Sequence, residues 1–469
     1  MKSTGFTLLL VLVFQVAFTQ ELAISENQRY LIYKSDSTPF FWLGDTAWEL
    51  FHKLDREEAL HYLQTRADQG FTVIQAVILA ERDGVRTPNA YGDLPFEDLD
   101  PKRPNEAYFE HVDFIIDEAN KLGLVMGVLP TWGDKVYSEH PGAGPILFGE
   151  ENARIFGEYL GRRYRDANLV WILGGDRDIA NEEVRAVWDA MAAGIAEGDG
   201  KTHLMTYHPR GSRSSGDYLH DADWMDFNMY QSSHARFYNP VYEFALKDRA
   251  LQPTKPTLDG EPAYEDIPVA FWEFMKFEPG EFSEITDEDG TLKDRTPFTK
   301  GFFDGKSVRV HAYWNILAGA AGYTYGNNAV WQMHKKGETF VIPALTDWKD
   351  ALRRPGAESM RFVRKLFEMR SFSELVPAQE LIVSPNPEGE NHIRAAKQRD
   401  GDFAVIYLAN PQEFELDLSL LNSDRFTAFW YDPRNGSRFK LPEFGIAQKV
   451  WTAPSVPDDA DWVLVIEAK

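Results

Sequence analysis

From about residue 40 to residue 330, short apolar runs alternate with amphipathic stretches. The runs Phe40–Asp45, Phe71–Leu79, Leu124–Trp132 and Asn168–Gly175 predict four strands. His203–His208, Asp226–Gln231, Thr257–Glu261 and Gly322–Gly326 predict four more. Between them lie segments with 3- and 4-residue apolar spacing, near Arg56–Gln69, Asn105–Leu122, Asn152–Tyr164, Asn181–Ala196, Val241–Lys247 and Val308–Ala318. In Asn105–Leu122, for instance, Phe109, Val112, Ile115, Ile116 and Ala119 share a face, and Gly123 closes the helix. Eight βα repeats predict an α/β fold of the (β/α)8 TIM-barrel type. The competing doubly wound sheet carries a Gly-rich phosphate turn after its first strand, and Gly44-Asp45-Thr46-Ala47 is not one.

Beyond about Leu381 the period changes. Asn391–Ala396, Asp402–Ala409, Phe414–Leu418, Phe426–Trp430 and Trp462–Ala468 are short strands near ten-residue spacing, with a turn at Asp432–Gly436. They predict a small antiparallel β-sandwich. The expected division is a signal peptide over residues 1–20, a barrel over 21–378 and the β-sandwich over 379–469. Pro262–Ser307 is a long βα loop with an acidic centre, Glu278–Asp289, and is a candidate lid or binding loop. A second loop, Arg210–Asp217, is rich in Ser and Gly.

Composition narrows the function. Net charge of −24 argues against nucleic acid as a partner. Cysteine is absent, which removes disulfides, thiolate metal sites and a lipoprotein anchor. Aromatics reach 14%, including 13 Trp, and flat apolar rings are what the C–H faces of sugars pack against, although large cores use them too. Lys2, the apolar run from Phe6 and Ala17-Phe18-Thr19 have the layout of a signal peptide, so a secreted or periplasmic protein with no membrane span is expected.

Catalytic side chains of a barrel sit at the C-terminal ends of its strands. Asp176 and Glu261, at the ends of strands four and seven, are the sharpest pair, because glycosidic bond cleavage needs two carboxyls flanking the bond. Gly174-Gly175 lets backbone and ligand approach closely. As ordinary side chains the two acids would be helix caps or loop carboxylates. Asp45, Arg177, His208, Tyr230, Gln231, Tyr325 and Asn327 lie at or beside strand ends and are candidate substrate contacts. Trp48, Trp132 and Trp331 are candidate stacking platforms, with core packing as the alternative. His-Glu-x-x-His, Gly-x-Ser-x-Gly and Walker sequences are all missing, and the 11 His form no metal cluster, so no metal or cofactor is expected.

Together these segments resemble one family. Phe41–Trp48, Trp171–Asp176, Asp259-Gly260-Glu261-Pro262, Arg309–Trp314 with Gly322–Asn327, and Val330–Met333 are similar to the apiosidase-like barrel proteins, glycoside hydrolase family 140 and its relatives. Trp430–Gly436 resembles their small C-terminal β-domain of the collagen-binding type. The resemblance implies a glycoside hydrolase acting on plant cell-wall pectin, at the apiose–galacturonate bond of rhamnogalacturonan-II side chains. It also implies Asp176 as acid/base and Glu261 as nucleophile of a retaining reaction. Asp at the end of strand four departs from the Asn-Glu of many related barrel glycosidases but fits this subgroup. A non-catalytic glycan-binding protein on a degenerate barrel is the alternative, and the presence of both carboxylates weighs against it.

Overall fold

The computed structural model describes residues 21–469 except 139–143, 276–282, 289, 339 and 446–448. The expected signal peptide and part of the acidic centre of the long loop lie outside the described residues.

All eight expected barrel strands are present: β1 (Trp42–Thr46), β2 (Val73–Val77), β3 (Val125–Leu129), β4 (Leu169–Gly174), β5 (Met205–His208), β6 (Asn228–Gln231), β7 (Thr257–Asp259) and β8 (Gly322–Tyr325). Parallel ladders run in the order β5-β4-β3-β2-β1-β8-β7-β6. The remaining seam is bridged at one end, where Asp226 N–H donates to Met205 O at 3.0 Å and Thr206 Oγ1 to Phe227 O at 2.7 Å. β4 and β7 stand three positions apart around this nearly closed ring. Among the described residues, seven helices of eight or more residues surround it: α1 (Arg56–Asp68), α2 (Glu106–Lys121), α3 (Glu150–Arg163), α4 (Glu182–Asp199), α5 (Tyr242–Arg249), α6 (Gly305–Leu317) and α7 (Pro355–Glu368). Between β5 and β6 the connection carries a two-residue strand, Arg213–Ser214, antiparallel to β6, and a 3-10 turn, Ser215–Asp217, in place of a helix.

Two pieces were not expected from the pattern. α7 completes the ring, with Pro355 at its first turn. Leu22–Ile24, Leu31–Tyr33 and Pro39–Phe40 form a three-stranded sheet. Its Leu22, Leu31 and Phe40 join the apolar cluster of Trp42, Val73, Val125 and Val170, so it stoppers the barrel at the end where the strands begin.

The C-terminal part is a seven-stranded antiparallel sheet, from Leu375–Pro377 to Trp462–Ala468, faced by a pair of strands, Glu415–Asp417 and Val450–Thr452. Its central strand Phe403–Leu408 is buried throughout. Phe403, Val405 and Tyr407 pack on the barrel helices, whereas Ala404, Ile406 and Leu408 pack on the domain's own core. A strand covered on both faces reads as a continuous apolar run, here Phe-Ala-Val-Ile-Tyr-Leu.

α6 carries the seam between the two parts. Arg309 makes two parallel bonds to Asp461, each 2.8 Å, Tyr407 donates to the same carboxylate at 3.0 Å, and Tyr313 stacks on Tyr407 at 4.5 Å. Removing one member of a buried pair strands the other charge. Asp461→Ala is expected to cost about 3–5 kcal/mol in chemical denaturation, and replacing both partners by apolar residues of similar volume should restore much of it. A single variant within about 0.5 kcal/mol of the parent would show that the pair does not hold the seam.

Candidate active site

Asp176 follows two glycines, and all three residues have left-handed backbone: φ is 91° at Gly174, 114° at Gly175 and 51° at Asp176. A side chain at Gly174 would strike His208 O at 2.5 Å, and one at Gly175 would strike the Trp132 ring at 2.7 Å. Only glycine fits there, and the result is a chain reversal that turns the Asp176 carboxyl into the cleft. A left-handed aspartate stores strain of the kind that persists where a side chain must be aimed.

Glu261 is delivered two residues past the end of β7. Gln75 reaches across from β2 and donates to Gly260 O at 2.9 Å, and Ser233 N–H donates to Glu261 O at 3.3 Å. The carboxylate is 9% exposed and meets two imidazoles. His234 Nε2 lies 3.3 Å from Oε1, and His208 Nε2 lies 3.1 Å from Oε2. The second approach is poorly aligned for a hydrogen bond and acts as close polar contact. The tautomers follow from the other side of each ring. Tyr264 N–H donates to His234 Nδ1 at 3.3 Å, and Asp176 N–H faces His208 Nδ1 at 3.5 Å. A nitrogen that accepts leaves the proton on its partner, so both rings turn an Nε2–H toward Glu261.

The two carboxyls are pushed in opposite directions. Burial works to raise Glu261, but His208 and His234 against its two oxygens outweigh it and hold the group well below the usual carboxylate range. Asp176 is raised, first by the desolvating mass around the cleft and then by the Glu261 charge, against the pull of Arg177 and His208. Its side chain still keeps 40% of its surface open, so proximity to the cleft walls rather than enclosure causes the shift. The two environments thus make Asp176 the weaker acid and Glu261 the stronger, the order that acid-assisted cleavage of an acetal requires.

Both open into a cleft of about 860 Å³. Of the expected contacts, Trp48, Trp132, Arg177, Gln231 and Trp331 line it. Trp132 Nε1, Arg177 Nε and Gln231 Oε1 are buried in its wall without a hydrogen-bond partner. Arg177 also donates to Asp176 O at 2.7 Å and stands 3.8 Å from Glu81.

The other expected contacts are placed elsewhere. Asp45 is fully buried and faces the helix layer, bound by Arg66 at 2.7 Å and by Tyr62. Its register partner Tyr325 points the same way, under the Arg66 guanidinium, and donates to Glu265 at 2.6 Å. Tyr230 stacks on Phe244 and donates to Asn315 at 2.6 Å, behind the barrel wall. Asn327 caps the short helix Asn328–Trp331. His208 is sealed behind Trp48 and Trp132 and touches the protein's own Glu261 instead of the cleft.

Several cleft residues were not singled out from sequence: His234, Tyr264, Glu81, Arg82, Arg210, Phe271 and Trp272. Burial pushes the Glu81 carboxyl up to about 7, against the pull of Arg82 and Arg177. Tyr264 accepts from Trp48 Nε1 at 3.1 Å beside Glu261. A signal for His234 existed in retrospect: it follows strand six by three residues, within the C-terminal loop face. Among the described residues no group of three or more His, Cys, Asp or Glu is arranged to hold a metal ion.

The glycine requirement gives a direct check. Gly175→Ala combines left-handed strain with a clash and is expected to destabilise by about 2–4 kcal/mol. Gly149→Ala, at φ −116° with open space around it, should lose only the helix-cap preference, at most about 1 kcal/mol. Equal thermal shifts in the two variants would contradict the account of the turn.

Known proteins place the chain. Residues 25–374 match the family described as "Apiosidase-like, catalytic domain", and residues 376–467 match "Putative collagen-binding domain of a collagenase". A solved structure titled "Glycoside hydrolase" is 30% identical at a TM-score of 0.82, covering 96% of this chain and 97% of its own. A glycoside hydrolase family 5 protein from Bacteroides vulgatus has the same identity and TM-score, with 96% and 93% covered. A family 5 mannosidase from Rhizomucor miehei, 12% identical at a TM-score of 0.50 over 75% of this chain and 98% of its own, shares the fold alone. A search of curated proteins finds no match. The barrel, its family and its near-full-length relatives lead to one conclusion: the chain belongs to the apiosidase-like glycoside hydrolases and is a TIM-barrel glycosidase with a C-terminal β-domain of the collagen-binding type.

Proposed function

We propose that the enzyme is a retaining glycosidase in which Glu261 attacks the anomeric carbon and Asp176 protonates the leaving oxygen, then activates water. The observation that carries this reading is the clamp of two imidazoles on Glu261. A general base works best with a pKa near the operating pH. A carboxylate held well below that range accepts protons poorly, yet it remains an ionised nucleophile. Asp176, raised and half open to the cleft, has the opposite character and suits the acid.

The substrate in this reading is an acidic pectic glycan, with rhamnogalacturonan-II side chains and their apiose–galacturonate bond as the leading target. Support comes from the family; in the cleft, Arg82, Arg177 and Arg210 stand among four acids, Glu81, Asp176, Asp178 and Glu261, and offer point contacts to a carboxylate rather than a cationic surface. The layout of the N-terminal residues supports export to where such glycans are met.

Asp176→Asn and Glu261→Gln are each expected to lower kcat by orders of magnitude with the fold retained, and the first product seen by NMR should keep the anomeric configuration of the substrate. Near-parental turnover in either variant, or an inverted product, would refute the assignment. The pH profile adds a second check. Activity should fall on the acid side as Glu261 takes up a proton and on the alkaline side as Asp176 loses one. His234→Phe removes a donor to Glu261, raises its pKa and should move the acid limb to higher pH while leaving the alkaline limb in place. An unmoved acid limb would show that His234 does not set the ionisation of Glu261.

A further inference from the structure

Thirteen tryptophans occur in the chain, and twelve are buried or half-buried. The exception is Trp272, which is 43% exposed and lies on the lining of the catalytic cleft. An exposed indole is apolar surface left in water, and it is held there by specific structure. Trp272 sits in the 3-10 turn Phe271–Glu273, which begins at Ala270 with left-handed φ of 51°. Ala270 N–H donates to His234 O at 2.8 Å, and Val269 N–H donates to Gly301 O at 2.9 Å. On the far side Glu273 pairs with Lys300 at 2.5 Å. Phe271 packs edge-on against Trp272 at 5.2 Å, and its other neighbour is the His234 ring, 5.9 Å away. The turn is therefore anchored to the segment that orients Glu261, and it presents one bare aromatic ring to the same cleft.

We propose that Trp272 is an outer sugar-binding platform that makes the enzyme selective for substrates longer than the unit it cleaves. The C–H face of a pyranose or furanose ring is flat and apolar, and it covers an indole face with little loss of hydroxyl hydration. Trp48, Trp132 and Trp331 line the same cleft but are at most 7% exposed, so they contact only what has entered it. Trp272 is placed to hold a further residue of the chain whose bond lies between Asp176 and Glu261. The occupant is a sugar of the same glycan, because the ring is continuous with the cleft that holds the carboxyl pair. This rests on the glycosidase activity and uses the pectic substrate only as a probe.

The test compares Trp272→Ala, Trp272→Phe and the parent on two probes: a long rhamnogalacturonan-II oligosaccharide and the shortest fragment of it that the parent cleaves. The alanine variant should raise KM for the long probe about tenfold, leave kcat within about twofold and leave both constants unchanged on the short probe. The phenylalanine variant, which keeps a flat face, should recover most of the loss. Thermal midpoints should match the parent, since an exposed side chain is removed. Equal losses on both probes would mean that Trp272 supports the turn instead of a sugar, and unchanged kinetics on the long probe would mean that nothing stacks there. Either result overturns the proposal. If the parent cleaves no pectic fragment, the pectin reading fails by itself. The same variants are then measured on long and short forms of the glycan that a product screen identifies, and the same outcomes decide.

Discussion

Keeping one buried carboxylate ionised is the constraint around which this candidate active site is organised. Glu261 has almost no contact with water, and burial alone would favour its neutral form. The protein offsets that cost with two imidazoles, one set against each carboxylate oxygen. Each histidine receives a backbone N–H on Nδ1, so each presents Nε2–H to a different carboxylate oxygen. One of those backbone donors belongs to Asp176 itself. The strained Gly-Gly-Asp reversal therefore does two things at once: it aims the Asp176 carboxyl into the cleft and sets the ring that faces Glu261. The negative charge kept on Glu261 in turn raises Asp176, so each group's state supports the other's.

The helix α6 ties this arrangement to the C-terminal domain. On one side its Asn315 donates to Asp259 at 2.9 Å, and His311 accepts from Ala263 N–H at 3.4 Å, so it backs both flanks of the Glu261 segment. On the other side Arg309 and Tyr313 hold Asp461 and Tyr407 of the β-domain. The apolar cluster under the seam runs unbroken from α6 and α7 into the alternate residues of the central strand of the domain. The C-terminal domain is in this sense a brace for the wall that carries Glu261, whatever else its outer surface meets.

The alternation of short apolar runs with longer mixed stretches made the barrel legible in the sequence, because its strands are covered on both faces and read as continuous runs. α7 and the N-terminal sheet escaped notice. The three N-terminal strands have only two or three residues each, too short to show alternation, and α7 follows the last barrel strand beyond a stretch of irregular chain. The strand-end rule singled out Asp176 and Glu261, which the structure brings to one cleft, since the glycines beside them leave a mark in sequence. The same rule misplaced Asp45, Tyr230 and Tyr325 because it does not say which face a strand residue takes. Asp45 and Tyr325 are register partners, as are Tyr230 and Asp259, and both pairs point outward to the helices. His234 and Trp272 come from irregular loops, where no period marks a side chain as inward. Their roles arise from contacts between segments that are distant along the chain.

The most direct test of the central claim is to titrate the two carboxyls by carbon-13 NMR in the free enzyme, assigning the signals with Asp176→Asn and Glu261→Gln. The account predicts that Glu261 stays ionised well below the ordinary carboxylate pKa of about 4, while Asp176 takes up its proton above that value. Ordinary titration of both groups near 4, or a Glu261 that protonates before Asp176 as the pH falls, would contradict it.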